Sequence, residues 1–378
     1  MHLRWQTTDN GKDSELESSH LIVRIAVGID YRPALLSSSG IGRATRELTK
    51  ALARRDDLDL RLFGHSLARA RVRCEIPQGV RLHRLPIPGR SLPTLRRLGL
   101  GADRLCGSPA VFHDTDYVEL PIANALRIRT IHDLAFFREP SWHGADALPL
   151  RERTRAFASK ADVIITPSRA TANDVRRLLP EASSPIVIPF GADHVSPSQS
   201  VRRNDVVLCV GTVEPRKNHR ALLAAIRSLR KKPLLVVLGR RGWECNAIEA
   251  DLHAAQAEGW CEWREDADDD AVFAAMRDAT MLAFPSLWEG FGFPPLEAMA
   301  SGLPVLAHDC EPMRELTDGC ALLCDATREG DLAAAIERLL GDTSLRDELA
   351  KQGIRRAAAF QWSDCAAGHA KVYREALQ

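Results

Sequence analysis

The 378-residue chain has no apolar run near the ~20 residues that cross a bilayer. Any meeting with a membrane is therefore expected at its surface. The first twenty residues are polar and charged. They do not read as a secretory signal and are expected to form a disordered tail. The nine cysteines are scattered, and the closest pair, Cys320 and Cys324, has no second pair to complete a zinc site. An odd number of cysteines without a secretory signal points to reduced thiols in a cytoplasm. No short-period repeat is visible. Net charge is nearly absent at +1, but the sum hides an asymmetry. Residues 1–195 carry 29 Lys and Arg against 22 Asp and Glu, giving +7; residues 196–378 carry 22 against 28, giving −6. The first half either faces an anionic partner or presents a solvated, arginine-rich surface.

What is present is an ordinary globular composition, 45% hydrophobic and 27% charged, with room for two domains. "IVRIAVGID" (22–30) is a short β-branched run that reads as a buried strand. A glycine loop and an amphipathic helix, "SSSGIGRATRELTKALA", follow it. Further strands are predicted at 58–65, 80–86, 127–136 and 162–168, with helices at 151–161 and 169–179. Residues 186–205 are turn-rich and polar after Gly191, and read as a linker. The pattern then restarts, with strands at 205–213, "PLLVVLG", 279–286 and "LPVLAHD" separated by helices. This alternation predicts an α/β chain of two doubly wound, Rossmann-like halves, each with a parallel sheet. The divisions are a tail at 1–20, a first domain at 21–195, a second at 196–360, and a C-terminal helix at 361–378 packing back towards the first domain. Ligands of such sheets lie beyond the carboxyl ends of the strands, so two halves face to face enclose one central cleft.

Two stretches at strand ends carry chemistry. In "VGTVEPRKNH" (210–219), Gly211 permits a tight turn, and Arg216 and Lys217 precede a helix start. Arginine grips phosphate oxygens bidentately, lysine adds a point charge, and the helix end offers bare N–H groups. The motif is either a pyrophosphate clamp or an exposed basic turn. In "PSLWEGFGFPPLEAMASGLPVL" (285–306), Glu289 and Glu297 flank Gly290, Phe291, Gly292, Phe293 and a proline pair that pre-sets a helix entry. A carboxylate accepts neighbouring sugar hydroxyls, so this pattern suits a diphosphate with hydroxyl-rich rings at both ends. The alternative is a first-turn carboxylate at Glu297 and a surface charge at Glu289. "EDADDD" (265–270) has the look of a metal motif, but an N-cap and first-turn reading before an apolar-periodic helix explains it.

With these motifs in place, the chain resembles the family-4 retaining glycosyltransferases, the group 1 enzymes of the two-Rossmann-domain GT-B type. "GTVEPRKN", the Glu-x7-Glu block, "GIGR" and "TIHD" carry the resemblance, which spans about residues 22–375. It implies a nucleotide-sugar donor in the cleft. Arg216 and Lys217 would hold the diphosphate, Glu289 the transferred sugar and Glu297 the ribose, with backbone N–H groups near Phe291–Phe293 assisting. Gly40, Gly42 and Arg43 would face the donor phosphate and acceptor, and His132 the donor sugar; Asp133 reads as a structural neighbour. His113, Asp116 and Tyr117 are candidate acceptor contacts. A lone Gly-x-Gly is a weak signal that a plain turn also gives, and a lone histidine at a strand end is more often structural. One departure is plain: many members have Gly-Arg where this chain has Gly211-Thr212.

"TIHDLAFFREP" is most similar to bacterial mannosyltransferases of polysaccharide assembly, which makes GDP-mannose the first donor expected. The acceptor is expected to be a saccharide or a lipid-diphosphate-linked saccharide. Arg-rich "RSLPTLRRLGLGADR" (90–104) is a candidate peripheral contact at the inner membrane face, or an ordinary loop and helix. No metal, no cofactor and no nucleic acid partner are expected. Rival readings are a UDP-sugar transferase of the same family, a nucleotide-sugar epimerase, a phosphorylase and a non-catalytic sugar-nucleotide binding module. A phosphorylase needs a cofactor lysine that cannot be placed. A glycosidase also uses two carboxylates, but has no need of a diphosphate clamp.

Overall fold

The computed structural model describes residues 24–36, 40–67, 76–198 and 205–378. The expected tail at 1–20 and residues 37–39 of the glycine loop lie outside them. The first sheet has seven strands: β1 Ile25–Asp30, β2 Leu58–His65, β3 Arg81–Leu85, β4 Val111–Asp114, β5 Leu126–Thr130, β6 Val163–Thr166 and β7 Ile186–Val187. The second has six: β8 Val206–Val210, β9 Leu234–Leu238, β10 Cys261–Arg264, β11 Met281–Phe284, β12 Val305–His308 and β13 Leu322–Cys324. Their orders are β3-β2-β1-β4-β5-β6-β7 and β10-β9-β8-β11-β12-β13. Every registered pairing is parallel. Strands buried on both faces must be apolar along their length, and "LLVVL" in β9 and "MLAF" in β11 meet that demand.

In each sheet the strand order reverses beside the first strand, between β1 and β4 and between β8 and β11. The crevice beyond the strand ends opens there. The loops after β1, β4, β5, β8 and β11 therefore converge on one region, and they carry the chemistry singled out in the sequence.

Several boundaries differ from the sequence-based expectation. The strand predicted at 127–136 stops at Thr130, and Ala135–Arg138 forms a short helix. His132 thus sits in a loop just past the sheet. The linker region contributes β7 to the first sheet before it crosses. β10 and β13 were not predicted. "CEWR" alternates apolar and charged residues on an edge strand, and "LLC" is only three residues long. "EDADDD" behaves as a cap: the Asp268 carboxylate accepts from the Ala271 N–H at 2.9 Å.

The chain crosses between the domains twice, and the crossings meet. Ala192 N donates to Phe360 O at 2.9 Å, and Trp362 N donates to Asp193 Oδ1 at 2.8 Å. The helix Trp362–Glu375 then lies on the first domain. Tyr373 Oη pairs with His113 Nδ1 at 2.8 Å, and Arg374 pairs with Asp57 at 2.7 Å. Phe190, Phe291, Phe293 and Trp362 join one apolar cluster that runs across the boundary. Among the described residues, no helix is long and apolar enough to cross a membrane.

The crossing admits no side chain at Gly191, where a Cβ would lie 2.4 Å from the Trp362 backbone nitrogen and 2.6 Å from its ring. Gly191→Ala should therefore destabilise the protein by roughly 1–3 kcal/mol. Urea unfolding tests this, and a midpoint equal to that of the natural protein would contradict it.

Candidate active site

The second domain builds the charged floor of the cleft. After β8 the chain turns through Gly211 into a single 3-10 turn, Pro215–Lys217. Asn218 takes φ +56, which separates this turn from the helix His219–Ser228. Arg216 and Lys217 therefore sit on their own short platform. After β11, residues Ser286 to Gly292 lead into the helix Phe293–Ala300, entered through Gly292 at φ +102 and prolines in its first turn. Arg216 joins the two loops: one guanidinium nitrogen donates to Trp288 O at 2.5 Å and pairs with Glu289 at 3.0 Å. The other donates to Glu214 Oε1 at 2.7 Å. Lys217 Nζ donates to Glu289 Oε1 at 2.5 Å, and the Ser286 hydroxyl donates to the same oxygen.

These contacts set the protonation states. Burial pushes the Glu289 carboxyl up, but Arg216, Lys217 and the Lys217 and Ser286 hydrogen bonds outweigh it and bring it down to about 2. Glu289 is thus an acceptor-only carboxylate at neutral pH. Glu214, 1% exposed, is raised by burial, which Arg216 and Lys217 offset only in part. Burial opposes the charge on Arg216, yet Glu289, Glu214 and Asp133 raise its pKa above the ordinary value.

The first domain supplies the opposite wall. Beyond β5, the His132 Nε2–H donates to Thr115 O at 2.9 Å, and the ring stacks on Phe190 with centroids 5.9 Å apart. Burial lowers its pKa, against the Thr115 carbonyl and the Asp116 and Asp133 charges. The neutral ring has one N–H, here on Nε2, so Nδ1 is left as an acceptor. The walls touch at Gly290, whose carbonyl accepts from Ser168 Oγ at 2.5 Å and Thr171 Oγ1 at 3.0 Å. A Cβ on Gly290 would lie 1.7 Å from His132 O, so only glycine allows this approach. The cavity between them, open to solvent on one side, is about 420 Å³, within the usual range for small-ligand sites.

The residues singled out in the sequence divide in three. Gly40, Arg43, Tyr117, His132, Gly211, Arg216, Lys217, Glu289, Gly290, Phe291, Gly292 and Phe293 line the cavity together. Glu297 is fully buried beside it. Both of its oxygens are held by Arg43 of the first domain, with His194 Nε2 at 3.1 Å. Arg43 also pairs with Asp269, and Arg46 pairs with the same carboxylate at 3.2 Å. A ribose that met Glu297 would first have to displace the Arg43 guanidinium.

Three more do not line the cavity. His113 is inside β4 rather than past its end. It is fully buried between Tyr373 Oη and Thr130 Oγ1, each at 2.8 Å, and cannot touch an acceptor. Asp116 does not line the cavity and forms an ion pair with Arg32. Gly42 is buried within the helix Gly40–Leu52.

Residues 39–191 match the family model for glycosyl transferase 4-like domains, and residues 194–356 match that for glycosyl transferases group 1. The chain belongs to the group 1 glycosyltransferases. O-antigen chain mannosyltransferase B of Escherichia coli is 28% identical over 371 residues, covering 89% of this chain and 96% of its own. Sucrose-phosphate synthase from Thermosynechococcus elongatus superposes with a TM-score of 0.78 at 21% identity, over 93% of this chain and 99% of its own. Anabaena Alr3699/HepE, solved with UDP and glucose, gives 0.72 at 16% identity over 93% and 100%. At these identities the solved structures speak for the fold, the two-domain GT-B arrangement.

The cavity of this glycosyltransferase also contains residues that the sequence reading missed. Glu214 is one of them, although its place beside Arg216 hints at a pair. Arg240, exposed on the loop after β9, lines the same wall as Thr212. It is a cation on the wall beside Thr212, where the resemblance led one to expect an arginine. Trp243 stacks on His143 of the other domain, with centroids 4.9 Å apart. Nothing in the local sequence marks these two as neighbours.

The Glu289 cluster predicts a pH effect. Its carboxyl lies below the ordinary 4.5 at about 2, so its stabilisation is present above about pH 4.5 and lost as pH falls towards 2. The contribution is on the order of 3 kcal/mol. The stability gap between the natural protein and Glu289→Gln, measured by urea unfolding, should shrink as pH falls from about 5 to 3. A gap independent of pH would contradict the cluster's electrostatics.

Proposed function

We propose that this glycosyltransferase moves a mannosyl unit from GDP-mannose to a saccharide or lipid-diphosphate-linked saccharide, with retention of configuration and without a metal or other cofactor. The observation that carries the reading is the convergence of Arg216, Lys217, Glu289 and the start of the helix Phe293–Ala300 on one cavity opposite His132. Arg216 and Lys217 would share the donor diphosphate, and backbone N–H groups near Phe291–Phe293 would assist, since Pro294 and Pro295 have none. Because Glu289 is ionised and accepts only, it orients a sugar hydroxyl that donates to it. His132 Nδ1 is the second acceptor for that ring.

In the reaction the bond between the anomeric carbon and the phosphate oxygen breaks, and a bond from that carbon to the acceptor oxygen forms on the same face. The acceptor proton passes to an oxygen of the departing diphosphate. Negative charge grows on that diphosphate as the bond breaks. Arg216 and Lys217 stabilise it most at that point, which is the differential binding that accelerates a reaction.

The relative named as a mannosyltransferase supports the choice of sugar. The neighbour solved with UDP supports the second reading, a UDP-sugar donor. An epimerase of the same fold needs no acceptor, so an acceptor requirement separates it. A binding module would neither hydrolyse nor transfer the donor.

Thermal unfolding with GDP, UDP, ADP and dTDP, each near millimolar, tests the donor. A ligand at a hundred times its Kd adds about 2.7 kcal/mol. A shift with GDP alone is expected. A shift with UDP would overturn the donor and keep the class. No shift with any of the four would overturn the clamp.

A further inference from the structure

Beside the catalytic cavity the first domain holds a second pocket, about 530 Å³. Arg96, Arg127 and Arg153 line it, brought from the helix Leu92–Arg97, strand β5 and the helix Ala147–Ala158. Glu119 is the one carboxylate among its described lining residues. That carboxylate is already matched, with Lys160 Nζ at 2.7 Å and Arg96 and Arg127 at 3.9 Å. Burial pushes Glu119 up, but Lys160 and the neighbouring arginines hold it below its ordinary value, so it stays ionised. Lys160 and three arginines against one carboxylate leave an excess of three positive charges. Arg127 Nε is buried without a hydrogen-bond partner. A buried donor left unmet is unfavourable, and it leaves the Arg127 charge incompletely matched beside the pocket.

The pocket adjoins the chemistry. Tyr117 lines both the pocket and the catalytic cavity. Its hydroxyl is fixed to the Asp133 backbone, donating to O at 2.6 Å and accepting from N at 2.9 Å. The ring is therefore a rigid partition between the two spaces.

We propose that this pocket holds a phosphate or diphosphate group of the acceptor, anchored by Arg96, Arg127 and Arg153 while the acceptor hydroxyl reaches past Tyr117 into the cavity. The proposal rests on the transferase reading above and adds the acceptor's anionic group to it. The turn after the helix Leu92–Arg97 exposes Leu98 (67%) and Leu100 (38%). Neither lines the pocket, so the test below decides between a phosphate on an alkyl chain and a free one.

Dodecyl diphosphate and inorganic pyrophosphate are the probes, titrated calorimetrically into the full chain. Lys217→Ala serves as the background, so that the donor clamp does not dominate the signal. Binding is expected to persist in Lys217→Ala and to weaken at least tenfold when Arg96→Gln and Arg153→Gln are added. Both arginines are exposed, so the fold tolerates their loss; circular dichroism checks this, and Arg127→Gln provides an independent third variant. Tighter binding of dodecyl diphosphate assigns the group to a lipid-like carrier; equal binding assigns it to the diphosphate alone. Binding that vanishes in Lys217→Ala, or that ignores the arginine changes, overturns the pocket. Nucleotide-induced stabilisation in Arg96→Gln/Arg153→Gln, with Lys217 intact, reads the donor site separately. Its absence in the natural protein too would mark a failure of the donor reading, not of this pocket.

Discussion

The site depends on one buried carboxylate held between two cations. Glu289 accepts from Lys217 and Ser286 and pairs with Arg216, while Arg216 also holds Glu214 and the Trp288 carbonyl. Buried charges are unfavourable unless each is paired and hydrogen-bonded, so removing any member leaves another stranded. The loops after β8 and β11 are locked in mutual register by this requirement. The same lock leaves the cations beside an open cavity, where a ligand's charge can be shared without rearranging the backbone. Stability and binding geometry therefore draw on the same contacts.

Domain closure is the second constraint. The Gly290 carbonyl receives two hydroxyls from the other domain, and its missing side chain lets the His132 carbonyl approach. Phe190 stacks on Phe293, with centroids 5.2 Å apart, and ties the crossing segment to the entry of the donor-side helix. Arg43 links the domains a third time, through Glu297 and Asp269. This last link is polar and covers the very carboxylate that the sequence assigned to a ribose. Both oxygens of that carboxylate are thereby occupied by a side chain of the first domain.

Much of the second domain was legible because its signals are local. β8, β9 and β11 are short, continuous apolar runs, and the two charged motifs follow such strands directly. The Asp268 cap was readable for the same reason, being set three residues from the N–H it accepts. What escaped was long-range. Arg43 and Glu297 are 254 positions apart, and no periodicity joins them. His113 was misplaced because β4 runs to Asp114, which sets the imidazole under the C-terminal helix, 260 positions from Tyr373. The strand predicted through residue 136 ends at Thr130, and its apolar remainder turns helical at Ala135. Periodicity alone cannot separate those cases over so few residues. The three arginines of the second pocket come from three separate elements, and only the fold assembles them.

The central claim is that Arg216 and Lys217, preset by Glu289, form a diphosphate clamp. Isothermal titration of the stabilising nucleoside diphosphate into the natural protein and Lys217→Ala tests it most directly. Loss of one charge-assisted contact should raise Kd at least tenfold, about 1.4 kcal/mol, with far-UV circular dichroism unchanged. An unchanged Kd would mean that the cluster serves only the fold, and that the donor binds elsewhere.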